Sequence, residues 1–274
     1  MTAALGDLLV FVGFAGLFGG AVAQRRLTGF TLPGGWPRWW GGAALLVLVG
    51  VTLQVGRTLA VLGFTAPGDV LAYLTGTGPG RAALTTLLGT ALLLAAQVGG
   101  WSRTLSLGVT VLTAAVTAWG IAGQGHGAEH GGPALRLAHT LHTAAMALWV
   151  GGVAALTLGN LRTLALGVPR AWALAARAFT PVAVVSVVVL ALSGVYMGLE
   201  HVGPLDQWTA TGYGRLVVVK VGLLAVVLLA ALRVRRLLAR PEGPRAALAL
   251  ELGLLLVILG VTAVLANSAP PGHG

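Results

Sequence analysis

Apolar residues fall into eight long runs along the chain, each closed by glycine, proline or charge, and these runs set every later expectation. Their limits are close to 5–23, 40–62, 81–99, 102–122, 134–158, 174–200, 213–237 and 246–267. A helix needs about 20 apolar residues to cross a hydrocarbon core of about 30 Å, and each run is near that length. The pattern therefore predicts an all-α fold: a polytopic helical bundle of about eight transmembrane helices. The stretch 63–80, GFTAPGDVLAYLTGTGPG, is too broken by glycine and proline to span and is expected to be an exposed or re-entrant loop. Residues 1–132 form an N-terminal four-helix half and 133–274 a C-terminal one, expected to make a single membrane domain.

Composition agrees with the lipid bilayer as solvent and partner. Of the 274 residues 57% are hydrophobic and 9% charged, with a mean hydropathy of +0.90. The net charge of +10 comes from basic residues scattered between apolar stretches, so no basic face is available to a nucleic acid. Cysteine is absent, which removes disulfides, thiolate metal sites and catalytic thiols and leaves His, Met and carboxylates as metal ligands. Met1 to Asp7 carries no Lys or Arg ahead of the first apolar run, so that run is expected to be a retained helix rather than a signal peptide. No P-loop or HExxH motif and no sizeable soluble stretch occurs, which argues against a hydrolase, a nucleotide enzyme or an ATP-driven pump.

Basic residues sort by loop. Arg25, Arg26, Arg38, Arg103, Arg162, Arg170, Arg177, Arg233, Arg235, Arg236, Arg240 and Arg245 fall on one side. Arg81, Arg136 and Arg215 fall on the other, with Asp69, Glu129, Glu200 and Asp206. Short cytoplasmic loops retain Lys and Arg, so both termini are expected outside. All six histidines, His126, His130, His139, His142, His201 and His273, then lie in outer loops, the outer tail or the outer parts of spans.

The fifth span, ALRLAHTLHTAAMALWVGG, places His139, His142 and Met146 at i, i+3 and i+7 on one helical face. The sixth ends SGVYMGLEH, with Met197 and His201 at i and i+4 and Glu200 beside them. Consecutive antiparallel spans are neighbours, so these ends are expected to meet. Imidazole binds both copper states and thioether favours Cu(I). A copper path follows, with His126 and His130 as capture groups, His139, His142 and His201 as ligands, and Met146 deepest, about 10 Å below His139 at about 1.5 Å of rise per residue. An intramembrane histidine is costly enough to point to function, whereas a methionine in an apolar span is ordinarily packing. Histidines on facing spans also admit haem b.

Remaining polar positions in the spans have plainer roles. Lys220, the only lysine, is expected to snorkel outward, to enter an ion pair or to line a pathway. Arg57, one turn after Gln54, is expected to pair with an acid such as Asp7 of the first span, and Glu251 to answer the nearby arginines. Small residues in WVGGVAALTLGN predict close helix packing. Trp36, Trp39, Trp40, Trp101, Trp172 and Trp208 are expected as interfacial anchors.

Four segments together resemble the copper resistance D (CopD) family of bacterial inner-membrane proteins: RLAHTLHTAAMALWVGG, ARAFTPVAVVSVVVLALSGVYMG, TGYGRLVVVKVGLL and ELGLLLVILGVTAVLANSAPP. The resemblance spans roughly 133–271, while the first four spans match only as generic apolar helices. It implies an eight-helix protein of the inner (plasma) membrane that takes up or delivers copper without catalytic turnover, commonly with a periplasmic copper carrier. His139 and His142 match the family's histidine region and Lys220 its seventh-span lysine. The chain has no fused carrier domain and no histidine in its first span. The family's distant likeness to b-type cytochromes leaves a haem-binding electron-transfer protein, or an assembly partner of a respiratory oxidase, as alternatives.

Overall fold

The computed structural model describes residues 2–26, 35–64, 66–99, 102–124, 132–165, 169–203, 207–237 and 245–268. The first span runs as α1 (Thr2–Phe14), a π-helical turn (Ala15–Gly19) and α2 (Gly20–Arg26). It is followed by α3 (Trp36–Leu62), α4 (Pro67–Gly76), α5 (Gly78–Val98), α6 (Arg103–Ala122), α7 (Gly132–Ala165), α8 (Pro169–Val202), α9 (Gln207–Ala210), α10 (Gly212–Leu237) and α11 (Arg245–Ala266). Among the described residues there is no strand, and eight helical stretches are long and apolar enough to cross a membrane. Their limits agree with the apolar runs to within a turn.

One segment departs from expectation. The 63–80 region holds a ten-residue helix, α4, where a loop was expected. Gly63 closes α3 with φ of 71°, and the Asp69 carboxylate accepts from the Ala66 N–H at 3.0 Å to start α4 at Pro67. Too short to span, α4 packs on the start of α5, where Gly80 lies against the Tyr73 carbonyl.

The long helix α7 sits at the centre, against the first span, α6, α8 and α11. Its approach to the first span is backbone on backbone: a Cβ on Gly151 would strike the Ala15 carbonyl, and one on Gly152 the Phe179 ring of α8. The small residues of WVGG therefore do what their size suggests. Helix α10 stands further out, packed chiefly on α11.

Tryptophans read as interfacial anchors are instead part of this packing. Trp36 and Trp40 are buried and stacked at 6.0 Å between ring centroids, and the Trp39 indole donates to the Gly16 carbonyl within the π-helical turn at 2.8 Å. With a helix, rather than lipid, across from them, their bulk fills the α3 contact with the first span. Trp101 lies outside the described residues, as does the side chain of Trp172.

Two polar clusters join the spans. Asp7 accepts from Gln54 and from Asn267, both at 2.5 Å, tying α1, α3 and the end of α11 together. Arg57 donates to Asn267 at 3.5 Å. The expected Asp7 to Arg57 partnership is electrostatic rather than a direct bond: Arg57 acts on the Asp7 carboxylate, while Gln54 and Asn267 take its hydrogen bonds. The bond between Asp7 and Asn267 also puts the start of the first span and the end of the last on one face of the bundle. At the opposite face Arg25 donates to the Ala21 carbonyl, Gln97, Ser106 and Thr110 at 2.6 to 3.0 Å, joining α2, α5 and α6 through neutral acceptors.

Candidate metal site

Three helices supply the site. Helix α7 brings His139 and His142 into its first turns, α8 ends with Ser193, Met197 and His201 at intervals of four on one face, and α10 carries Tyr213 and Lys220 seven residues apart. Because α7 and α8 are antiparallel neighbours, the start of one meets the end of the other.

The contact between them is ring to ring. His139 and His201 meet edge to face with centroids 5.3 Å apart, and Tyr213 stacks on His201 with centroids 6.4 Å apart. The His139 Nε2 is buried and has no hydrogen-bond partner. A buried polar nitrogen left in that state costs about 1–3 kcal/mol, and a ligand to that nitrogen would remove the cost.

Hydrogen bonding holds the other two imidazoles in place. The His201 Nδ1 lies 2.8 Å from the Met197 carbonyl; a carbonyl only accepts, so Nδ1 carries the proton and Nε2 keeps its lone pair. The Ser193 hydroxyl gives its single proton to the Val189 carbonyl at 2.5 Å. Its oxygen lies 2.9 Å from the His142 Nδ1, and the Leu190 backbone also bonds to that imidazole, so two groups of α8 orient the ring. A donor bond on one ring nitrogen, as at His201, is the usual companion of metal binding by the other. A Cβ on Gly194 would sit 3.4 Å from the His142 Cε1, so α8 also lies close against that ring.

Other expected ligands are placed differently. Met146 is half-buried and packs against the hydrophobic core. Met197 serves the site through its carbonyl, and Glu200 is exposed. His126, His130, Asp206 and His273 lie outside the described residues. Among the described residues no three His, Cys, Asp or Glu side chains are close enough to share one metal ion, so the imidazoles are available as a pair, His139 with His201, and a neighbour, His142. Lys220 is half-buried and close enough to act electrostatically on both His139 and His142.

Glu251 does not answer the arginines. It is only 4% exposed and accepts from the buried Trp149 indole of α7, because its turn of α11 faces the bundle interior rather than the cationic loop.

The sequence reading passed over Ser193 and Tyr213. The signal was there, since Ser193 lies eight residues before His201 and Tyr213 seven before Lys220, spacings that keep each pair on one helical face.

Fold and site together define a multi-pass helical membrane protein with an imidazole cluster at one end of its central helix pair. Within it, residues 173–265, which run from α8 through α11, match the family model for Copper resistance protein D. The match covers about a third of the chain, including Ser193, Met197, His201, Tyr213 and Lys220; His139 and His142 precede it. No curated protein and no solved structure matches the chain.

Proposed function

We propose that the protein carries or delivers copper at the bacterial inner membrane, accepting the ion at an outer face that bears His139 and His201, an orientation supported by the sorting of basic residues among the loops. The observation that carries the reading is the buried, partnerless Nε2 of His139 in contact with a histidine whose own Nε2 is free. Metal to imidazole bonds are about 2 Å long and lie in the ring plane, so binding one ion requires the two rings, edge to face at 5.3 Å between centroids, to turn their Nε2 atoms toward it. Two imidazoles with a third nearby suit Cu(I), which accepts low coordination numbers. His126 and His130 belong to the reading as capture groups, and a periplasmic carrier as donor of the ion. Copper is cargo here, so no catalytic turnover is required. Haem b would need a porphyrin between facing imidazoles, and the direct contact of the rings favours a bare ion.

Protein purified in detergent, loaded with Cu(I) and freed of excess ion, is expected to retain copper and to show no Soret band. A Soret band, or copper lost on desalting, overturns the reading. Ser193→Ala removes the hydroxyl that orients His142. Loss of such an outer partner weakens metal binding by about 10- to 100-fold, so a Cu(I) competition titration is expected to fall in that range while the extracted protein keeps its elution profile. An unchanged affinity would show that His142 is no ligand.

A further inference from the structure

The two rings of the pair are not held alike. His201 is fixed from two directions: its Nδ1 donates to the Met197 carbonyl at 2.8 Å, and the Tyr213 ring stacks on it, 26° from parallel with centroids 6.4 Å apart. That separation lies within the range of about 4.5–7 Å over which offset aromatic pairs attract. Tyr213 is itself held in place. The Thr211 hydroxyl caps the start of α10 by accepting from the Gly214 N–H at 3.0 Å, and a Cβ on Gly214 would strike the Trp208 carbonyl of α9. The Trp208 indole donates to the Gly203 carbonyl at 3.1 Å, and its ring lies on Gly198, where a Cβ would come within 2.9 Å of it. Gly198 and His201 are three residues apart on one face of α8, so Trp208 and Tyr213 grip the same end of that helix. His139 is held less: its buried Nε2 has no hydrogen-bond partner.

Binding one ion needs both Nε2 atoms turned toward it, and the cost of turning differs between the rings. A large turn of His201 would break its bond to Met197 and part it from Tyr213, whereas His139 gives up no hydrogen bond at Nε2. We infer that capture is asymmetric: His139 makes most of the turn, His201 serves as the anchored ligand, and Tyr213 is the positioning residue that keeps His201 in place. Only protein with His201 in its ligating rotamer binds the ion, so apparent affinity falls in proportion to that fraction. The stability that an aromatic pair adds corresponds to about 2- to 12-fold in an equilibrium constant, which sets the size of the expected effect. The contact is between rings, so the Tyr213 hydroxyl is not needed for it. The inference rests on the proposed copper site and adds what orders one of its two ligands.

The test is a Cu(I) competition titration on the full chain in detergent. Tyr213→Leu, or Tyr213→Met should the leucine protein aggregate, is expected to weaken binding by about 2- to 12-fold. Tyr213→Phe is expected to keep the wild-type affinity, because it keeps the ring. On a His201→Ala background, Tyr213→Leu is expected to have no further effect, which separates positioning of His201 from general damage to the fold. Nitrogen NMR of histidine-labelled protein is expected to show the His201 Nδ1–H hydrogen-bonded both before and after Cu(I) is added. Wild-type affinity without the Tyr213 ring, an equal loss in Tyr213→Phe, or an equal loss on the His201→Ala background overturns the inference and leaves the copper site standing. Loss of the His201 Nδ1–H bond on loading does the same. A wild-type protein that retains no copper overturns both.

Discussion

Replacing His139 and His201 together by alanine is expected to lower Cu(I) affinity by at least about a thousandfold. Outer partners of a ligating histidine contribute about 10- to 100-fold each, and removing the ligating rings themselves takes away more than any partner does. His142→Ala alone is expected to cost less, because the His139 and His201 pair remains. Folding should survive, since His139 Nε2 has no bond to lose and His201 bonds only its own helix through Met197. Competition titration on protein of unchanged elution volume reads the result. A double variant with wild-type affinity would place the copper ligands elsewhere in the chain.

Gly151→Leu is expected to be the most damaging single substitution for the fold. The first carbon of any side chain there meets the Ala15 carbonyl, so the clash is with backbone, which no rotamer change relieves. Forcing atoms into a packed contact costs about 1–3 kcal/mol where side chains can move; here the first span would have to leave α7, and the cost should exceed that range. Gly253→Leu on α11 is the control, because nothing lies within 4 Å of a Cβ there. Thermal unfolding in detergent should show Gly151→Leu aggregated or strongly destabilised and Gly253→Leu close to wild type. Equal behaviour of the two would mean that the first span and α7 do not touch as described.

Hydropathy made the bundle readable because every span must be apolar over its whole length, whatever its neighbours are. What hydropathy does not encode is which side of a span meets protein. Trp36 and Trp40 show the consequence: a tryptophan near a helix end looks the same in sequence whether it faces headgroups or another helix. Glu251 shows it again, since nearby arginines suggested a partner while the helix turned the carboxylate toward Trp149. The helix α4 was hidden because its starting signals, Pro67 and Asp69, sit among the glycines that mark a loop. At the candidate site, the heptad spacing of His139, His142 and Met146 revealed a shared face, and the pairing of His139 with His201 followed from antiparallel neighbours. The sequence could not separate ligand candidates from packing: Met146 and His142 share one face, yet one packs in the core and the other bonds Ser193.

The bond from His201 to Met197 has a further consequence for proton traffic. The ring holds a hydrogen on Nδ1, toward the Met197 carbonyl. An ion captured by the lone pair of the opposite nitrogen therefore expels no hydrogen from Nδ1, and no tautomer exchange need precede capture. Loading and unloading there changes electrical charge while leaving that hydrogen in place.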